Sequence, residues 1–199
     1  LGQLPFPFTA AHIGGNRFRL VLRDIPPTQR ETLDQALEEV RATGLANYFD
    51  DQRFGSVHSL EEGFIGLHLV KGRFEEALKL ALAGTYLHDP AEAKREKELL
   101  ASHWGDWQFL LDNLPRGHAR SLVAFLRDHP TRFRAALERL GPELKGLYLA
   151  AWQSWVWNQA LALWLETNLP AEDLIRLPGR LARWPAPLRA SPGMGNGFF

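Results

Sequence analysis

PELKGLYLAAWQSWVWNQALALWLET, residues 142 to 167, is the stretch that decides the fold. Pro142 suits the first position of a helix, where a missing N–H costs nothing. The residues after it leave no polar stripe. Leu144, Leu147, Tyr148, Ala151, Trp152, Trp155, Val156, Trp157, Leu161 and Leu163 cover nearly the whole circumference. A helix that is apolar all round belongs inside, with other elements packed about it. The sequence therefore predicts a buried core helix over 142–168.

Working back from that helix, residues 59–141 read as a helical segment. Ser59 with Glu62 has the form of a capping box, and Phe74, Leu78 and Leu82 recur at a spacing of four. Asp89, Pro90 and Glu92 have the order of an N-cap, a first helical position and an acidic first turn. Shorter helices are expected over 107–114, 119–127 and 132–140. Phe109, Leu122, Phe125 and Leu137 are expected to be buried, at about 1.5–3 kcal/mol each. Packing against the core is favoured over RNA contact as the role of these helices. GRFEEALKLALAG, residues 72 to 84, resembles half of a helical-hairpin repeat, but there is no second copy at a fixed period.

The first 58 residues read differently. In NRFRLVLRDI, residues 16 to 25, Phe18, Leu20 and Leu22 fall on one face and Arg17, Arg19 and Arg23 mostly on the other, with Val21 breaking the rule. That is the pattern of a strand with one buried and one basic face. Pro26-Pro27 ends it. Thr28 with Glu31 has the form of a capping box for a helix carrying Leu33, Leu37 and Val40 and closed by Gly44. At the other end, residues 169–199 read as an irregular tail, because 177–199 hold four Pro and four Gly and show no period. Strand, helix and loop followed by a long run of helices make an α+β chain with a mixed or antiparallel sheet, not an alternating doubly wound one.

Composition excludes more than it suggests. The 199 residues include no Cys, so disulfide and thiolate chemistry are out. Lys plus Arg equals Asp plus Glu at 23 each, so bulk charge names no partner. No apolar run approaches the roughly 18 residues of a membrane span. A soluble, cytoplasmic protein is the expectation. The seven His are scattered without metal spacing, and neither a phosphate loop nor a nucleophile elbow is present. Charge is uneven, however. Arg17, Arg19, Arg23 and Arg30 outnumber Asp24, and no acid comes after Leu174 although Arg176, Arg180, Arg183 and Arg189 do. These arginines are either ordinary solvated side chains or two patches facing a polyanion.

One loop is dense in chemistry: NYFDDQRFG, residues 47 to 55. Asn47 can hold a turn, a ring among Tyr48, Phe49 and Phe54 can stack on a nucleobase, and Arg53 can pair with phosphate. The plainer alternative is that the rings fill the core, Asp50 and Asp51 are solvated, and Arg53 bonds one of them.

Three blocks in order carry a resemblance. HIGGNRFRLVLRDI (12 to 25), NYFDDQRFG (47 to 55) and LYLAAWQSWVWNQAL (147 to 161) resemble the TruD family of tRNA pseudouridine synthases. The first resembles the family's His-x-x-Gly-Asn-x-Phe strand, through Gly15 and Asn16. The second resembles Asn-x-Phe-x-x-Gln-Arg-Phe-Gly, through Asn47, Phe49, Gln52, Arg53, Phe54 and Gly55. The third resembles Gln-Ser-x-x-Trp-Asn, through Gln153 and Asn158.

The resemblance implies an isomerase that converts a tRNA uridine, typically position 13 in the D arm, to pseudouridine. It implies tRNA as the partner, no metal, no nucleotide or other cofactor, and no membrane; a monomer is favoured. By the same carry-over Phe49 stacks on the uracil and Asn47 shapes the loop. Arg53, with Arg17, Arg19 and Arg23, is assigned to RNA contact. Gly15, Asn16, Gln52, Phe54, Gly55, Gln153 and Asn158 are assigned structural places.

Two features depart from the family. Its attacking Asp lies in a Gly-x-Lys-Asp segment before the first block, and no Lys-Asp pair occurs here. Asp50 and Asp51 stand where the usual motif has Gly and a variable residue, and they are rejected as substitutes. The expectation is a middle portion of a larger enzyme, inactive alone, with the start of the family's inserted domain in the tail. A helical protein-interaction scaffold and a non-catalytic RNA-binding module are the alternatives.

Overall fold

The computed structural model describes residues 14–15, 17–86 and 89–188. Asn16 and His12, and with them part of the first motif, lie outside the described residues. The chain divides into two compact units, residues 1–44 with 192–199, and residues 45–191.

In the first unit, residues 17–26 pair with no strand among the described residues, and the chain bends at Asp24, where φ is 56°. Phe18, Leu20 and Leu22 are 80%, 86% and 63% exposed. The strand expected there is not formed. Alternation gives a segment an apolar face, but a strand also needs a neighbour's N–H and C=O groups to complete its ladder. A 3₁₀ turn, Pro27–Gln29, leads into helix α1, Arg30–Thr43. Thr28 sits inside that turn, and the N-cap Gln29 makes no side-chain capping bond, so the expected capping box does not form. Gly44 closes the helix at φ 83°, where its N–H donates to the Val40 carbonyl at 2.8 Å. This left-handed conformation favours glycine.

Among the described residues, the second unit runs through a 3₁₀ turn, Asp51–Phe54, and then seven helices. They are α2 (Ile65–Val70), α3 (Phe74–Ala83), α4 (Ala91–Ser102), α5 (Trp107–Asn113), α6 (His118–Asp128), α7 (Phe133–Glu138) and α8 (Pro142–Asn168). Two starts differ from the sequence reading. The Glu62 N–H does donate to Ser59 Oγ at 3.1 Å, but this bond closes a turn and the helix begins only at Ile65. Pro90, not Asp89, is the N-cap of α4. Asp89 accepts instead from the Tyr86 N–H at 2.8 Å and from Lys97 Nζ at 2.6 Å, tying the preceding loop to the helix.

Helix α8 serves two cores, but it is not buried all round as expected: Leu147, Val156 and Leu163 are 60%, 46% and 66% exposed, because the packed elements cover only part of its circumference. Leu78, Leu100, Leu110, Leu122 and Leu126, none above 1% exposed, build the first from α3 to α6, and Tyr148 of α8 joins it. Ala151 and Trp155 of α8 build the second with Phe54, Val57, Phe64 and Trp184. Gly66 lets α2 lie against α8 here; a Cβ at that position would strike the Tyr148 carbonyl oxygen. Leu122 and Leu137 are buried as expected, and Phe125 is partly so. Phe109 is not. It is 37% exposed and stacks on His103 at 4.1 Å, because it projects from the outer side of a short helix whose buried positions are Trp107 and Leu110.

The segment expected to be irregular contains an antiparallel hairpin, β1 (Leu174–Pro178) and β2 (Arg183–Pro187). Leu174 pairs with Pro187 and Arg176 with Pro185. A two-stranded ribbon is all edge, so prolines can stand where no ladder N–H is required. Trp184, Pro185 and Ala186 are buried in succession, β2 lying against α8. With helices and a small antiparallel sheet, the fold is α+β.

Candidate functional site

The loop at 47–55 is held by its backbone and by alternate side chains. Tyr48 points inward. Its ring stacks on Trp184 at 5.4 Å, and its hydroxyl donates to the Pro185 carbonyl at 2.8 Å. Burial, reinforced by the nearby Glu166 carboxylate, pushes the Tyr48 hydroxyl well up, so it remains a neutral donor. Phe54 also points inward, 1% exposed and edge-on to Phe64 and Trp155 at 6.3 and 5.9 Å. The plainer reading of the loop is thus correct for these two rings.

Phe49 takes the opposite course. It is 36% exposed, and its ring lines a cavity of about 570 Å³ with Gln52, Arg53, Leu144, Leu147 and Tyr148. Its backbone is fixed although its ring is open. The side chain of Asn158, fully buried on α8, accepts from the Phe49 N–H at 2.9 Å and donates to the Phe49 carbonyl at 2.8 Å. The amide thus completes both main-chain bonds of one residue, as a neighbouring strand would. Beside it, Trp157 Nε1 donates to the Asn47 carbonyl at 2.9 Å. The pair Trp157-Asn158 therefore holds three backbone groups of the loop. The Arg53 guanidinium lies 5.2 Å from the Phe49 ring centroid, within range of a cation–π contact.

The two carboxylates have structural partners. Asp50 accepts from the Asp51 N–H at 2.8 Å and caps the 3₁₀ turn. Asp51 accepts from the Arg180 N–H through both oxygens, at 2.9 and 2.8 Å. Arg53 meets Asp50 only through the backbone, its N–H donating to the Asp50 carbonyl at 2.9 Å, while its guanidinium lies by the Phe49 ring.

The structure thus brings together Asn47, Phe49, Gln52, Arg53 and Gly55 around one loop, with Asn158 behind it and Phe54 beneath. Gln153 stands exposed on α8, while the adjacent Ser154 is 5% exposed. Gly15, Arg17, Arg19 and Arg23 belong to the first unit and are exposed on it. Sequence reasoning missed Trp157, Asp51, Arg180 and the cavity walls Leu144 and Leu147. Trp157 had a signal, being the Trp of the Gln-Ser-x-x-Trp-Asn motif. Arg180 had none, since it lies 129 residues from its partner. Among the described residues no cluster of three His, Asp or Glu is placed to hold a metal, and no helix is long and apolar enough to cross a membrane. The cavity falls within the roughly 300–1,000 Å³ usual for small-molecule sites.

Comparison with known proteins bears on this geometry. A family model described as tRNA pseudouridine synthase D (TruD) matches residues 1–176. A probable tRNA pseudouridine synthase D 1 of Methanococcus maripaludis is 29% identical over 180 residues, 88% of this chain and 45% of that protein. A tRNA pseudouridine synthase D of Aquifex aeolicus is 37% identical over 151 residues, 75% of this chain and 37% of that protein. The crystal structure of a putative tRNA pseudouridine synthase D from Methanosarcina mazei matches with a TM-score of 0.58 at 27% identity, over 72% of this chain and 33% of that one. The chain spans less than half the length of these relatives.

Proposed function

The chain belongs to the TruD family of tRNA pseudouridine synthases, and from that membership we propose that it supplies the uracil-holding wall of an enzyme converting a tRNA uridine to pseudouridine. Position 13 of the D arm is the uridine we assign, by the family resemblance. One observation carries the reading: the ring of Phe49 stands at a cavity wall while its backbone is locked to Asn158.

The chemistry requires such a wall. A uridine inside a stack cannot be rearranged, so it must be flipped into a pocket. Once the glycosidic bond opens, the uracil has to turn without leaving. An aromatic face suits this, because base stacking is worth about 1–3 kcal/mol and is tolerant of orientation. A stacking face is useful only if its own position is fixed, and the two bonds from Asn158 supply that. Arg53, exposed beside the ring, offers a cation to a backbone phosphate or to the attacking carboxylate. Arg17, Arg19 and Arg23 would contact RNA phosphates. The family's attacking Asp has no counterpart among residues 1–199, so the part assigned to this chain is to hold the base, not to attack it.

The test is Phe49→Ala in the full-length enzyme. Pseudouridine formation is expected to fall by about 10² or more, one stacking face and its positioning being lost, with a smaller loss of tRNA affinity and an unchanged melting temperature. Wild-type turnover by that variant would remove Phe49 from the pocket.

A further inference from the structure

At the 3₁₀ turn that follows Phe49, a second device ties the loop down. We propose that Asp51 and Arg180 are positioning residues: a reciprocal latch by which the β1–β2 hairpin holds the 3₁₀ turn in the conformation that presents Phe49 to the cavity. This rests on the reading of Phe49 as the uracil's stacking wall.

The latch has two halves that run in opposite directions. The Asp51 carboxylate reaches out of the turn and takes the Arg180 N–H on both oxygens, at 2.9 and 2.8 Å. The Arg180 side chain reaches back. Its Nη2 donates to the Phe54 carbonyl at 2.7 Å and the Val57 carbonyl at 2.8 Å, and its Nη1 donates to the His58 carbonyl at 3.3 Å. These carbonyls mark the end of the 3₁₀ turn and the chain just after it. Each is a partial negative charge, and the guanidinium fork spans them as no single ammonium does. Charge-assisted bonds are the stronger class of hydrogen bond, so both halves resist opening.

A glycine makes room for the contact. A Cβ on Gly179 would lie 2.8 Å from the Ala182 carbonyl, 3.2 Å from Trp184 Nε1 and 3.5 Å from Asp51 Oδ1. The hairpin turn is therefore bare where the carboxylate enters. Trp184, next along the hairpin, stacks on Tyr48 at the start of the same loop. The hairpin thus grips the loop before and after Phe49, while Asn158 grips it at Phe49 itself.

The experiment uses the full-length enzyme with Arg180→Ala, Arg180→Lys and Asp51→Ala. Two quantities are read: hydrogen exchange of the peptide spanning residues 50–58, and kcat and KM for pseudouridine formation, well below each variant's melting temperature. Losing these three charge-assisted bonds should speed exchange about tenfold or more in Arg180→Ala. A misplaced ring should lower kcat by about tenfold and leave KM within about threefold. Arg180→Lys, able to meet only some of the carbonyls, should recover part of both. Unchanged exchange in Arg180→Ala, or faster exchange with wild-type kcat, overturns the latch. If Arg180→Ala does not fold, Asp51→Ala decides by the same two readings. A wild-type enzyme that forms no pseudouridine overturns the proposed function and the positioning role with it, whereas normal turnover with unchanged exchange sinks the latch alone.

Discussion

Asn158→Ala isolates the bond pair on which the loop geometry depends. The side chain is fully buried, and its two bonds to Phe49 are 2.9 and 2.8 Å long. Truncation strands one N–H and one C=O. A buried polar group left without a partner costs about 1–3 kcal/mol. Phe49 is partly open to water, which puts each loss near the lower half of that range, or about 3 kcal/mol together with the small cavity left behind. For a unit of this size that corresponds to a fall in Tm of roughly 6–12 °C. Asn158→Asp adds a sign. As a carboxylate the new group faces the Phe49 carbonyl with no proton to give; as a neutral acid it can donate as the amide did. Burial therefore raises its folded pKa. The stability it restores is full below about pH 4, the unfolded value, and is lost as pH rises through the folded one. Thermal melts by circular dichroism at pH 4 and pH 7 are the assay. The Tm deficit of Asn158→Asp should shrink toward pH 4, while that of Asn158→Ala should not. An Asn158→Ala protein melting within about 2 °C of wild type, under 1 kcal/mol at this size, would refute the reasoning.

Two further outcomes concern the scaffold. Gly66→Ala drives a methyl into the Tyr148 carbonyl and to 3.0 Å from Trp152 Cβ; forcing α2 off α8 should cost at least the upper end of about 1–3 kcal/mol, read by urea unfolding. Asp89 is held below the usual carboxylate range chiefly by its bond to Lys97. Its contribution is therefore present above about pH 4, the unfolded value, and fades as pH falls through the lower folded one. Asp89→Asn should melt below wild type at pH 7, and the gap should narrow as pH falls below about 4.

What could be read from the sequence was whatever its own neighbourhood dictates. Helix α8 was legible as a helix, though not its exposed Leu147 and Leu163, and α3 was legible because its apolar spacing is a local property. The Asn-x-Phe loop was legible as chemistry, with Phe49 and Asn158 both named, but nothing local says that one clamps the other across 109 residues. The hairpin was hidden because Trp184, Pro185 and Ala186 are buried in a row, which erases the alternation that marks a half-buried strand. Residues 17–25 gave the reverse error: they alternate except at Val21, yet alternation does not supply a ladder partner.

The division of labour within NYFDDQRFG stems from these constraints. A residue that stacks on a turning base cannot also be anchored by its own side chain, since burial would take away the face it offers. Its placement must come from its backbone and from its neighbours. The fixed groups of the loop meet that need: the Asn47 and Phe49 main chain on α8, the Tyr48 ring and hydroxyl and the Asp51 carboxylate on the hairpin, and the Phe54 ring in the core. Phe49 then loses backbone freedom without losing its exposed ring. This is the condition under which a loop, normally the most mobile part of a fold, can serve as a rigid wall.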